Sequence, residues 1–199
     1  MTKSTEIILP FLGKRNYIQG ASILEKLLHE EPPAERFSLK ILRPMLSNRI
    51  VISQLEKAPS PDAIWSRDGE EFALCAHPSS PLREPYNEDA LASLIDFSEN
   101  GASWDADTTE HYIRMAVLAL KRLLLRRFPV CGPGQWLFIR WDGTMPLPAK
   151  GNVQLRLISA LKEKAAMARI SSGQAPPATL CFAWSDISSP QNDTPGASS

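Results

Sequence analysis

The chain lacks every compact signature of nucleotide, serine-hydrolase or zinc chemistry. It contains no Gly-rich phosphate loop, no Ser elbow, no Cys-x-x-Cys and no clustered histidines. Its three cysteines, Cys75, Cys131 and Cys181, are odd in number and far apart. They fit reduced, mostly buried thiols in a cytoplasmic protein better than a disulfide framework. Charge of one sign is missing too: 22 basic residues stand against 22 acidic ones, so no long-range field gathers nucleic acid or an anionic membrane. Long apolar runs are absent. Ile7 to Leu9 ends at Pro10, which is too short for a signal-peptide core, and Met115 to Leu120 ends at Lys121, well short of a membrane span. No cofactor or metal is expected.

What is present is an ordinary globular composition, with 43% apolar and 22% charged residues. Residues 1–187 are expected to form a single compact body. SSPQNDTPGASS, residues 188–199, has almost nothing to bury and is expected to be a disordered tail.

The body reads as one unit written twice, over about 5–80 and 92–187. NYIQGASILEKLL aligns with HYIRMAVLALKRLL when Tyr17-Ile18 is set on Tyr112-Ile113, an offset of 95. Helical spacing is kept in both copies. Downstream, SLKILRP matches LFIRW with Arg43 on Arg140, and each copy continues through a turn ending in Asn48 or Asn152 into a second strand. FALCAHP and TLCFAW then share Leu-Cys, so the offsets rise steadily as loops lengthen. In the first unit strands are predicted near 5–12, 37–43 and 48–55 around a helix at 17–29, followed by the hairpin AIWSRDGEEFALCAH. Asp68-Gly69 is its tight-turn signal. In the second unit LIDF precedes a helix from about Thr109 to Arg127, and SALKEKAAMARI is predicted as an additional amphipathic helix capped by Ser159. The long helix is apolar around nearly its whole circumference and must be covered on most sides, as a curved antiparallel sheet would do.

A strand, a buried helix and a run of antiparallel strands resemble the hotdog fold. Two such units in one chain look like the double-hotdog arrangement of thioesterases and acyl dehydratases. The resemblance is topological and spans about residues 5 to 185. It implies an α+β fold and a ligand that is a thioester of coenzyme A or of acyl carrier protein, its acyl chain lying between the units. The dehydratase motif, a His followed by Pro and Gly before the helix, is not complete: PFLGKRNYIQG has Pro and Gly without the His, and ASWDADTTEHY has acids and a His without the Gly-Pro pattern. The alternative fold is a two-layer α+β sandwich with helices on one face.

Several residues are candidates for chemistry, each with a plainer role beside it. Asp105 and His111 precede and open the long helix, where a carboxylate and an imidazole would serve as base and acid. The plainer role is a helix start, with Asp107 or Thr108 as cap. His77 follows a strand and either faces a cleft or sits in a surface loop. Arg43 and Arg140 lie in otherwise apolar strands, where an anionic ligand or an acid of the same fold would answer them. Trp141 opens a long turn, WDGTMPLPAKGN, which either covers a pocket mouth with Trp141 as an apolar wall or is a plain insertion. The long helix carries Arg114, Lys121, Arg122, Arg126 and Arg127 with no acid between Tyr112 and Phe128, so it either docks a carrier protein's acidic surface, lies on an anionic membrane, or is buried with Arg126 and Arg127 facing solvent.

The function expected is the binding or processing of an acyl thioester or small carboxylate, in the manner of a dehydratase or thioesterase or of a degenerate relative. The other possibility is a non-catalytic accessory protein that docks a protein partner. Acyl carrier protein or a coenzyme A thioester is the expected partner, and a homodimer is an assembly open to the chain.

Overall fold

A computed structural model describes residues 5–32, 34–129, 134–144, 147, 150–162, 164–173 and 175–185. The expected tail, Cys131 and part of the turn after Trp141 lie outside the described residues. The first half contains β1 (Thr5–Ile8), β2 (Phe11–Leu12), α1 (Gly20–Glu30), β3 (Phe37–Ile41), β4 (Arg49–Gln54), β5 (Ala63–Arg67) and β6 (Glu70–His77). A connecting stretch follows, with β7 (Arg83–Glu84), α2 (Glu88–Ala92) and β8 (Asp96–Phe97). The second half contains β9 (Gly101–Ala106), α3 (Thr109–Arg127), β10 (Gln135–Gly143), β11 (Gly151–Leu161), β12 (Ala165–Ser172) and β13 (Ala178–Ser185).

Eleven strands form one sheet in the order β1-β4-β6-β5-β3-β10-β13-β12-β11-β9-β8, while β2 and β7 pair separately in parallel. The two halves meet at the antiparallel β3–β10 seam, where Leu39 is opposite Trp141 and Lys40 opposite Arg140. Each half contributes five antiparallel strands to the sheet, β8 adds an eleventh beside β9, and the long helices follow β2 in the first half and β9 in the second. This is the double-hotdog, α+β arrangement that the sequence resembles.

The long helix explains why the sheet must curve. Nine of its side chains, among them Tyr112, Ile113, Leu118 and Leu124, are buried, and it packs on α1, α2, β9, β10, β11 and β12. No single flat layer covers so much of a helix's circumference. Thr108 caps it, its hydroxyl accepting from the His111 amide at 3.0 Å, so the helix-start role holds for this segment. The hairpin signal also translates directly. Asp68 and Gly69 take φ of 48° and 91°, the left-handed pair a primed two-residue turn demands, and the Asp68 carboxylate accepts from the Arg36 amide at 2.9 Å. The strand predicted over 5–12 is split at Pro10, which has no amide to donate to a ladder.

Three expectations are corrected. The stretch 159–170 is no helix: it is the end of β11, a turn and most of β12. Ala, Lys, Glu and Met favour helix, but burial along β12 alternates strictly, with Ala166, Ala168 and Ile170 inward and Ala165, Met167 and Arg169 outward. A period of two on a sheet face overrides propensity. The approach to α3 is also more than a helix start, because Gly101–Ala106 is strand β9 and buries Trp104. Finally, the shared Leu-Cys does not mark equivalent strands. Cys75 lies on β6, next to β4, whereas Cys181 lies on β13, next to the seam strand β10. The spatial order is alike in both halves, but the chain visits the third and fourth positions in opposite sequence.

This geometry separates two adjacent residues sharply. Met167→Lys, at a position 39% exposed, is expected to change Tm by no more than a couple of degrees. Ala168→Lys places a charge on the inner face and is expected to lower Tm by about 10 °C, at roughly 4 kcal/mol and 2–4 °C per kcal/mol for a chain of this size. Equal effects in thermal denaturation would contradict the strand assignment.

Candidate functional site

Where the two halves meet, they leave a cleft of about 250 Å³. Its walls come from both. The turn into α1 contributes Ile18, α1 contributes Ala21, α3 contributes Val117 and Leu118, β10 contributes Phe138, and β13 contributes Phe182. Phe138 and Phe182 meet edge to face at 6.2 Å. Gly20 is required beside them: a Cβ there would lie 1.9 Å from the Phe138 ring, so α1 opens on a glycine to let β10 approach.

One end of the cleft is polar. Glu88, from the first turn of α2, forms ion pairs with Arg15 and with Lys121, the latter at 3.1 Å. Burial works to raise the Glu88 carboxyl, but Lys121 and then Arg15 outweigh it and hold the group below the usual carboxylate range. Burial also dominates at Lys121, and it leaves the ammonium below its ordinary range despite the neighbouring acid. Tyr17 and Tyr86 border the same end, and burial raises both hydroxyls, which keeps them protonated donors. The guanidinium of Arg15 lies over the Tyr86 ring at 5.8 Å. With the Gln19 amide turned to satisfy both its ends, its oxygen accepts from Arg15 at 2.6 and 3.0 Å.

A second cavity, about 430 Å³, lies on the other side of Arg114, between α1 and α3. Arg114 borders both cavities and binds Glu25 of α1 through two nitrogens at 3.0 to 3.1 Å, with Glu110 at 2.9 Å. Burial is the larger influence on Glu25 and pushes its carboxyl up to about 7, although Arg114 pulls it down.

The residues singled out from the sequence are scattered. His111 is in the first turn of α3 with Nδ1 on the Asp107 carboxylate, while Asp105, exposed on β9, accepts from Asn152 at 3.2 Å. They are not paired with each other, and neither borders the cleft. His77 ends β6 in an exposed position, its carbonyl accepting from the Ser47 hydroxyl. Arg140 is answered by Asp142 on its own strand at 2.7 Å, so an acid of the same fold meets it. Arg43 does border the cleft, but its guanidinium turns to Asp62 and Ser60. Trp141 is wholly buried in the core, edge-on to Tyr112 at 6.1 Å, rather than at a pocket mouth. Three of the five cations on α3 are likewise met by acids of other elements, Arg114 by Glu25, Lys121 by Glu88 and Arg122 by Asp89, while Arg126 lies over the Phe97 ring and Arg127 donates to Asn100.

Sequence reasoning missed Arg15, Glu88, Val117 and Phe138. Lys121 was visible as one of five cations on a largely apolar helix, but nothing in the sequence named Glu88 as its partner. The cysteines described, Cys75 and Cys181, are free and partly buried, and burial raises both thiols, which keeps them poor nucleophiles.

No protein-family model matches the chain, and no curated protein does. Solved structures of similar path exist at low identity. The dehydratase domain of RzxB from Pseudomonas fluorescens is 12% identical, with 89% of this chain and 93% of that one covered at a TM-score of 0.46. A tesB protein of Mycobacterium avium subs paratuberculosis is 12% identical, with 88% and 89% covered at 0.46. The dehydratase domain of PpsC from Mycobacterium tuberculosis, solved in complex with C12:1-CoA, is 11% identical, with 92% of each chain covered at 0.40.

The raised Glu25 carboxyl gives stability a definite pH dependence. Below pH 4.5 the group is protonated folded or unfolded; between 4.5 and about 7 the unfolded chain gives up its proton first, so stability is lost as pH rises. Relative to Glu25→Gln, the native protein is expected to lose up to about 3 kcal/mol between pH 4.5 and 8, at about 1.4 kcal/mol for each tenfold. Parallel denaturation curves for the two proteins across that range would contradict this assignment.

Proposed function

We propose that this protein holds an acyl group in the cleft between its halves and does not turn it over. The observation that carries this is the cleft itself. It has apolar walls from both halves and a polar end, and among the described residues bordering it there is no His, Cys or Asp and only one acid, Glu88, already committed to two cations. Burial of an acyl chain against Val117, Phe138 and Phe182 supplies affinity, at about 25 cal/mol for each Å² of apolar surface removed from water. General acid–base catalysis needs a proton-transfer group free to act on the substrate; Glu88 and Lys121 are paired with each other, and neither His111 nor Asp105 borders the cleft. The acyl group arrives on acyl carrier protein or coenzyme A, or as the acid released from either, in the cytoplasm, where free Cys75 and Cys181 stay reduced.

A second reading, docking of a protein partner, draws on the outer face of β11 and β12. Ile158, Leu161 and Met167 are exposed there on neighbouring strands.

Native mass spectrometry with octanoyl and decanoyl ligands, free and as coenzyme A thioesters, tests the proposal and reads out any homodimer. One acyl ligand per chain is expected, with unchanged ligand mass after incubation. Val117→Trp, which fills the cleft, is expected to weaken binding at least tenfold, while His111→Ala and Asp105→Asn leave it unaltered. Turnover of a thioester or hydroxyacyl substrate that His111→Ala abolishes would overturn the non-catalytic reading.

A further inference from the structure

At the polar end of the cleft the charges do not balance locally. Arg15, Arg43, Arg114 and Lys121 border the cleft against a single acid, Glu88. Two of the four cations are answered outside it: Arg43 by Asp62, and Arg114 by Glu25 and Glu110. Arg15 and Lys121 share Glu88, so one positive charge at the polar end has no matching acid among the described residues. These are not solvated surface groups. The Arg15 and Lys121 side chains are 20% and 26% exposed, and Lys121 sits in a helix whose neighbouring residues, Leu120 and Leu124, are buried.

An excess cation held in a partly dry cleft is a costly arrangement in the absence of an anion. The suppressed basicity of Lys121 has the same origin: burial first, then repulsion from Arg15 and Arg122, only partly offset by Glu88. Arg122 is itself met by Asp89 and adds no second free charge at the site. An incoming anion of one negative charge would complete the set, whereas a dianionic phosphate would overfill it. The planar guanidinium of Arg15 and the ammonium of Lys121 suit the two oxygens of a carboxylate, and the Tyr17 and Tyr86 hydroxyls stand nearby as further donors.

We propose that the ligand of this cleft is an amphipathic monocarboxylate, its chain on Val117, Phe138 and Phe182 and its carboxylate between Arg15 and Lys121. The inference rests on the acyl-holding reading above and adds that the head group recognised is the free acid rather than an uncharged ester or thioester. A cavity of about 250 Å³ exceeds the ~150 Å³ that holds benzene, so a medium-length chain is the matching size.

Titration calorimetry of the full chain at pH 7 with octanoate and with octan-1-ol separates the two levels. Octanoate is expected to bind at least tenfold more tightly than octanol. Lys121→Gln and Arg15→Gln are each expected to reduce that preference several-fold, while Lys121→Arg retains it. Equal binding of octanol and octanoate overturns the carboxylate inference and leaves the acyl cleft standing. Binding of neither ligand overturns the acyl cleft itself. An octanoate preference untouched by Lys121→Gln and Arg15→Gln puts the carboxylate elsewhere and overturns the assignment of its holders.

Discussion

A helix that is apolar on nearly every side is the constraint to which the rest of the molecule answers. Tyr112 to Leu124 of α3 cannot meet water on more than a narrow stripe, so the strands of the second half curve round it and α1 and α2 close the remaining faces. Wrapping two helices with a single sheet requires the halves to share a seam, and β3 and β10 provide it. The cleft follows from that arrangement. It lies where the turn into α1, the middle of α3 and the inner face of β10 and β13 come together without filling the space between them.

The stretch between the halves does more than connect them. Its backbone is tied down by Asn48, a buried side chain that donates to the Leu9 and Leu82 carbonyls at 2.6 and 2.9 Å and accepts from the Leu82 amide at 2.9 Å. Arg83 adds a bond to the Arg15 carbonyl at 2.6 Å. With that segment fixed, α2 presents Glu88 to Arg15 and Lys121, and Asp89 to Arg122. Three acids from outside α3, Glu25, Glu88 and Asp89, thus meet a helix that carries its own cations without acids after Glu110. The inward part of the basic run, Arg114 to Arg122, is met by acids of other elements, and at Glu88 two cations share one acid.

Much of the fold was legible because its elements obey local rules. The span of α3, the Asp68-Gly69 turn and the strand-helix-strand order of each half can be read from periodicity, capping and turn chemistry. In the 159–170 stretch Ala, Lys, Glu and Met carry a helical preference, and it is long-range pairing with β11 and β13, with α3 against one face, that selects the strand. The transposed visit to β5 and β6 was hidden for a related reason: which strand lies beside which is decided by long-range pairing, and the Leu-Cys likeness of β6 and β13 reflects only their common apolar faces. Site residues were the least legible. His111, Asp105 and Arg140 look reactive by type, yet each is met by a nearby polar group, whereas Arg15 and Glu88 acquire meaning only from a contact across 73 residues of sequence.

The most direct measurement of the central claim is a crystal structure with 8-bromooctanoate, in which the bromine marks the chain end by its anomalous signal. The account predicts a bromine peak between Val117, Phe138 and Phe182, with the carboxylate within hydrogen-bond distance of Arg15 and Lys121. A peak in the cavity beyond Arg114, on the outer face of β11 and β12, or no ordered bromine at saturating ligand would contradict it.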